Sequence, residues 1–201
     1  MVVSPDVAIV TGVGGTGCGR AIAARVVFFP ADVRKDCQMR DLVSFAQATR
    51  GRLTVLVNNA SGPHGSSEGL EDWTDSIETD LLGTIYATRW AVEAMRTGGG
   101  GAIVNIASIS ALWHGRKTAG GFPGYDVAKA GMIRLTTRLA PLAEKYNIRV
   151  NCLAPGWIAT EGPKQYWESL TPTERVERGV PAQLLTNGYY PNPGQTDLLV
   201  S

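Results

Sequence analysis

The stretch Val7-Ala8-Ile9-Val10-Thr11, followed by Gly12-Val13-Gly14-Gly15-Thr16-Gly17-Cys18-Gly19 and then by Arg20-Ala21-Ile22-Ala23, limits what this chain can fold into. A short apolar run that turns through glycines into a helix start reads as strand, turn and helix. Such a turn brings backbone N–H groups to the positive end of a helix and leaves room for a pyrophosphate. It is a dinucleotide site in form, and it places the ligand at the carboxyl ends of the strands of an open parallel sheet. The rest of the chain repeats the theme. Leu53 to Val57 and Ala102 to Ala107 read as buried strands, and Asp126 to Leu142 as a helix, so the pattern predicts an α/β parallel sheet covered on both faces. With 201 residues, 44% of them hydrophobic, the chain can bury one substantial core, and no linker or repeat divides it. Residues 1–201 are expected to form a single domain.

Tyr125 and Lys129 stand four residues apart at that helix, so they can address one small volume. A free phenol titrates at about pH 10, too high for efficient proton transfer at neutrality, and a nearby ammonium lowers that value. The pair therefore has the makings of a tuned acid or base. Ser108 follows the run Ala102 to Ala107, at a strand's carboxyl end, where its hydroxyl can orient a carbonyl. Tyrosine and lysine at this spacing are also common surface neighbours, and the pair gains its meaning from its company.

That company is Asp32-Val33, then Asn58-Asn59-Ala60 after the second apolar run, then Arg149-Val150-Asn151 leading to Pro155-Gly156-Trp157-Ile158-Ala159-Thr160. With the glycine turn, Ser108, Tyr125 and Lys129, in this order and spacing, the chain resembles the short-chain dehydrogenase/reductase family over most of its length. The resemblance implies a Rossmann-like doubly wound parallel sheet, with dinucleotide binding and catalysis in one domain. It implies an NAD(P)-dependent oxidoreductase that interconverts a ketone, a 3-oxoacyl thioester among them, and a secondary alcohol. Tyr125 would exchange a proton with the substrate oxygen, Ser108 would hydrogen-bond that oxygen, and Lys129 would tune Tyr125 while holding the nicotinamide ribose. Gly12, Gly17 and Gly19 would shape the phosphate turn, with Thr16 and Cys18 inside it. Asp32 and Val33 would meet the adenine, Asn59 and Ala60 would line the cofactor, and Pro155, Gly156, Ile158 and Thr160 would border the nicotinamide. Residues 161–179, with Tyr166 and Trp167, resemble the family's substrate lid, whose aromatics either touch substrate or pack. A homodimer or homotetramer acting on a small-molecule carbonyl or alcohol substrate follows from the same resemblance. Two alternatives stand beside it: a dehydratase or epimerase using the same cofactor, and a non-catalytic relative serving as a binding or scaffold protein.

Four departures from the family pattern bear on function. Between Gly12 and Gly17 lie four residues where the family has three, which widens the turn. Asp80, in Ile77-Glu78-Thr79-Asp80-Leu81-Leu82-Gly83, stands where the family carries an active-site asparagine. Either its carboxylate faces the site, holding Lys129 as a cation and opposing a phenolate at Tyr125, or it only hydrogen-bonds its own helix backbone. Third, the helix from Gly17 to Arg25 runs into Val26-Val27-Phe28-Phe29-Pro30-Ala31-Asp32-Val33, which resembles the family's third strand. The second strand and its helix are expected to be absent, leaving a slot for the third strand to fill, and with them goes the residue that separates NAD from NADP. Fourth, after Thr186 the chain becomes turn-rich, so part of the C-terminal region is expected to be absent too, Gly194 to Val200 faintly resembling the start of a last strand.

Composition narrows the partners. A formal charge of +1 gives no reason to expect nucleic acid or an anionic membrane. Cys18, Cys37 and Cys152 include no close pair, as in a reducing compartment. His64 and His114 are isolated from each other and from any cysteine pair, so no metal is expected. The start Met1-Val2-Val3-Ser4-Pro5-Asp6 lacks a signal-peptide pattern, and a cytoplasmic protein is expected. Gly98 to Gly101 reads as a turn after the helix ending near Arg96.

Overall fold

The structure is a computed structural model, and it describes residues 6–13, 27–62, 73–112, 122–156, 158, 161–177 and 198–200. Strands β1 (Asp6–Val10), β2 (Arg52–Asn58), β3 (Gly101–Ile106), β4 (Ile148–Ala154) and β5 (Leu198–Val200) make one sheet in that spatial order. The pairs from β1 to β4 are parallel, and β5 lies antiparallel against β4. Register sets Ile9 beside Leu56, Leu56 beside Ile103 and Ile103 beside Val150, so these four side chains form one row on one face. All four are buried. Helices α1 (Asp36–Arg50) and the later α3 (Gly83–Gly98) supply Met39, Val43, Ala46, Ala87, Ala91 and Met95 to the same core. Each large apolar group taken from water there contributes roughly 1.5–3 kcal/mol.

The next row toward the carboxyl ends is Asn58, Asn105 and Cys152, on the same face. Helix α4 (Pro123–Leu139) covers it: Met132 packs against Cys152 and Ala107, and Thr136 Oγ1 accepts a hydrogen bond from Asn105 Nδ2 at 2.9 Å. Asn58 Nδ2 in turn donates to Asn105 Oδ1 at 2.8 Å and to Thr88 Oγ1 at 3.0 Å. A buried amide is costly without such partners, so this ladder ties β2 and β3 to α3 and α4. The described helices α1, α3 and α4 thus cover one face of the sheet, while Val55, Val104 and Leu153 on the other remain partly exposed. The expected helix from Gly17 to Arg25 lies outside the described residues, as do Gly17, Cys18, Gly19 and Thr16 of the phosphate turn.

Two expectations change. Residues 27–32 form no strand, and β1 pairs with β2 alone among the described residues. Pro30 has no N–H for a ladder, and Phe29 instead stacks on Phe45 of α1 with ring centroids 5.0 Å apart, while Ala31 and Val33 pack into the core. The helix expected from Asp126 to Leu142 starts at Pro123, which fills a first-turn position where a missing N–H costs nothing. It ends at Leu139, ahead of Pro141, and α5 (Leu142–Tyr146) follows as a separate turn. Between β2 and α3, α2 (Trp73–Ser76) opens into a π-type segment, Ile77–Leu82. The glycines after α3 turn as expected, with Gly99 at φ 91° and Gly100 at φ 112°. Helices α6 (Glu161–Ser169) and α7 (Pro172–Glu177) occupy most of the expected lid.

Candidate active site

Ser108, Tyr125, Lys129 and Asp80 converge at the carboxyl end of β3. Lys129 Nζ donates to the Ile106 carbonyl at 2.9 Å and stands 3.3 Å from Asp80 Oδ2. Both charged side chains are buried, Lys129 at 2% exposure and Asp80 at 0%. Nζ lies 5.3 Å from the centroid of the Tyr125 ring, as one helical turn on a common face requires. The Ser108 hydroxyl lies close enough to the Tyr125 phenol to favour its charged form. Ser108 Oγ also accepts the Ser110 N–H at 3.2 Å, which fixes the start of a single 3₁₀ turn over Ile109–Leu112.

Asp80 reaches the site from the π-type segment. Such π-type segments are rare and occur mostly as single wide turns within helices. Thr79 packs toward Gly62, Asp80 toward Lys129, and Leu81 toward Gly131 of α4, where an added Cβ would lie 3.0 Å from Leu81 Cδ1. Asp80 Oδ1 accepts the Gly62 N–H at 2.9 Å and Oδ2 accepts the Ser61 hydroxyl at 2.7 Å. Asp80 therefore faces the site, and the alternative that it only bonds its own helix is not what the chain adopts.

Charges set the protonation of this group. Burial pushes the Tyr125 phenol up to about 12, the Ser108 hydrogen bond opposes this, and the charges of Asp80 and Asp126 push it further up. Burial pulls Lys129 below its ordinary value, with the Asp80 carboxylate opposing. At neutral pH Tyr125 is a phenol, able to give a proton. Burial likewise raises the thiol of Cys152, which lies near Lys129.

The ends of β1 and β2 meet beside this cluster. Thr11 Oγ1 accepts the N–H groups of Asn59 and Ala60, each at 3.0 Å, and Asn59 Nδ2 donates to Thr11 O at 3.0 Å. Gly12 has φ 71°, and a Cβ there would lie 2.6 Å from Ala60 Cα, so no side chain fits between the strand ends. On the other side, Ala107 N–H donates to Leu153 O at 2.7 Å and Ile109 N–H to Pro155 O at 3.0 Å, which brings Pro155 and Gly156 alongside Ser108. Ile158 is described and half-buried, and Thr160 lies outside the described residues. Asp32 is engaged by Arg34, whose Nη2 is 2.8 Å from Asp32 Oδ2 and which holds that carboxyl below its usual range. Val33 packs beside Gly83 at the start of α3. Ser61 was not singled out from sequence; its signal is its place directly after Asn58-Asn59-Ala60, opposite an acidic Asp80. Among the described residues no three potential metal ligands cluster, and no helix is long and apolar enough to cross a membrane.

Comparison with known proteins finds relatives in both sequence and fold. The sequence model of the short chain dehydrogenase family matches residues 16–170. A 7alpha-hydroxysteroid dehydrogenase of Bacteroides fragilis is 34% identical over 142 residues, 68% of this chain and 52% of that protein. The chain spans about half the length of the curated relatives it first matches. Among solved structures, ElxO with NADP bound superposes with TM-score 0.63 at 31% identity, covering 71% of this chain and 58% of that one. A 7α-hydroxysteroid dehydrogenase complexed with NADH and 7-oxo glycochenodeoxycholic acid gives TM-score 0.61 at 27% identity, covering 73% and 56%.

Proposed function

Because this chain belongs to the short-chain dehydrogenase/reductase family, we propose that it is an NAD(P)-dependent oxidoreductase that interconverts a ketone and a secondary alcohol, with Tyr125 as general acid and base. The observation that carries this is the buried Lys129 ammonium one helical turn from Tyr125, with Ser108 beside the phenol. The residues present fit a nicotinamide dinucleotide. The strand ends carrying Gly12, Asn59 and Ala60 lie at the carboxyl edge, where dinucleotides bind, and the exposed Gly12 presents no side chain there. Lys129 keeps one of its three N–H donors beyond Ile106 O and Asp80, enough for a ribose hydroxyl. Gly12, Asn59, Ala60, Lys129, Pro155, Gly156 and Ile158 would hold the group, and when bound it supplies the hydride.

In ketone reduction, Ser108 donates a hydrogen bond to the substrate oxygen and Tyr125 gives that oxygen its phenolic proton. In alcohol oxidation Tyr125 takes the proton back. The Lys129 ammonium, answered in part by Asp80, offers the phenolate what positive charge remains in either direction, and no metal is needed to polarise the carbonyl. Relatives solved with NADP and with NADH support either dinucleotide. Helices α6 and α7 serve as a lid over a small carbonyl or alcohol substrate, in a cytoplasmic homodimer or homotetramer.

The test is nicotinamide absorbance with a ketone panel, wild type against Tyr125→Phe. Loss of the proton donor should lower turnover by about 100- to 10,000-fold while NADH or NADPH still quenches tryptophan fluorescence. Full turnover by Tyr125→Phe would overturn the mechanism. Quenching without turnover by the wild type on any ketone would make the chain a binding protein.

A further inference from the structure

Asp80 is a carboxylate where its family carries an amide, and a buried carboxylate must be matched on both oxygens. Oδ1 is matched by the Gly62 N–H at 2.9 Å. Oδ2 is shared: the Ser61 hydroxyl donates to it at 2.7 Å, and the Lys129 ammonium stands 3.3 Å away, longer than the 2.7–2.9 Å of a charge-assisted hydrogen bond. The neutral donor holds the oxygen more closely than the cation does. Lys129 is closer to Ile106 O, at 2.9 Å, than to its counter-ion.

We propose that Ser61 is a positioning residue that competes with Lys129 for Asp80 Oδ2, and so keeps the Lys129 ammonium turned toward Ile106 and Tyr125. Without the hydroxyl, Oδ2 has Lys129 as its one donor among the described side chains, and the pair closes. The groups that face Lys129 are Asp80 from the π-type segment, Ile106 O from β3, Cys152 from β4 and Tyr125 from its own helix. Of these, Asp80 is the one whose hold Ser61 weakens. Ser61 is itself exposed, three residues beyond the end of β2, so its side chain can be changed without opening the core. Closing the pair favours the charged form of Lys129 and draws it from Tyr125. This rests on the reading of Lys129 as the tuner of Tyr125, and its consequence at Lys129 is measurable without turnover.

The experiment is an NMR titration of carbon-13 lysine side chains in the protein without added dinucleotide, with the Lys129 signal assigned as the one lost in Lys129→Arg. Wild type, Ser61→Ala and Ser61→Thr are compared, each with a thermal melt. Removing a hydrogen bond to a charged group should raise the Lys129 midpoint by about half to one pH unit in Ser61→Ala, and Ser61→Thr, which keeps the hydroxyl, should restore it. A melting temperature that changes while the Lys129 midpoint stays put would make Ser61 a merely structural contact and overturn the proposal. So would a midpoint that moves equally in Ser61→Thr. Absence of turnover in the wild type, with the Lys129 shift present, would overturn the proposed reaction and leave this inference standing.

Discussion

Replacing Asp80 by asparagine isolates what the buried ion pair does to the fold. The amide is nearly isosteric and keeps one acceptor oxygen, so packing is preserved while the charge is removed. Lys129 then remains as a buried ammonium whose partner is the Ile106 carbonyl. Leaving one member of a buried pair uncompensated costs about 3–5 kcal/mol, a large part of the roughly 5–15 kcal/mol that holds a domain folded. The cost depends on pH with a definite sign. Burial already sets Lys129 in the folded chain below its ordinary value, and loss of Asp80 lowers it further. Below the folded value the ammonium is penalised in full, and as pH rises through that value toward the unfolded one, at about 10.4, the folded chain sheds the proton and the penalty fades. Wild type follows the same course from a higher folded value. The two stabilities therefore converge as pH rises from the Lys129 pKa of the variant to that of wild type, by about 1.4 kcal/mol for each pH unit. Urea unfolding of both proteins, at neutral pH and at steps into the alkaline range, measures the gap. A gap that stays constant with pH would refute the charge argument, and a gap under about 1 kcal/mol at neutral pH would refute the ion pair.

The raised phenol of Tyr125 predicts that kcat/KM for alcohol oxidation, which needs the base form in the free enzyme, climbs about tenfold per pH unit through the alkaline range without a plateau before about 12, while ketone reduction holds level. A plateau near neutrality in the oxidation profile would contradict it. Gly12→Ala meets both a left-handed backbone and the Ala60 main chain at 2.6 Å, and should cost at least about 1–2 kcal/mol; thermal melting reads this against Gly156→Ala, whose Cβ meets Ile109 Cδ1 at an ordinary 3.5 Å. Asn105→Ala removes one partner each from Asn58 Nδ2 and Thr136 Oγ1, which keep Thr88 and Met132, at about 0.5–1.5 kcal/mol for each hydrogen bond lost, and a loss under that range in denaturant unfolding would show that the ladder is not structural.

The strands were legible wherever burial is decided by position in the sheet. Leu53 to Val57 and Ala102 to Ala107 read within one residue of β2 and β3, because the rows through Leu56 and Ile103 need continuous apolar runs. The same rule misleads at Val26 to Val33. Apolar content there serves contacts with α1 and the core through Phe29, Ala31 and Val33, and Pro30 was the local sign that no ladder would form. The early helix start at Pro123 had a sign too, proline in a first turn, masked by the glycines around it. The π-type segment had none. It coincides with Leu81 packing toward Gly131 and Asp80 reaching Lys129, contacts between residues some fifty positions apart that no local propensity encodes.

The site shows the same division between spacing and surroundings. Spacing placed Tyr125 and Lys129 on one face and Ser108 at a strand end, and all three meet. Spacing also suggested that the ammonium would pull the phenol down, whereas burial carries it up to about 12. The reason is charge balance. Asp80 answers the positive charge of Lys129 at 3.3 Å, so Tyr125 faces a pair that is neutral in sum, and the cost of desolvating a phenolate is left with the Ser108 hydrogen bond as its counterweight. An amide at position 80 would leave the ammonium unanswered and its field directed at Tyr125. On the proposed reading of Tyr125, the side chain at position 80 would therefore govern how much of the charge on Lys129 reaches the phenol.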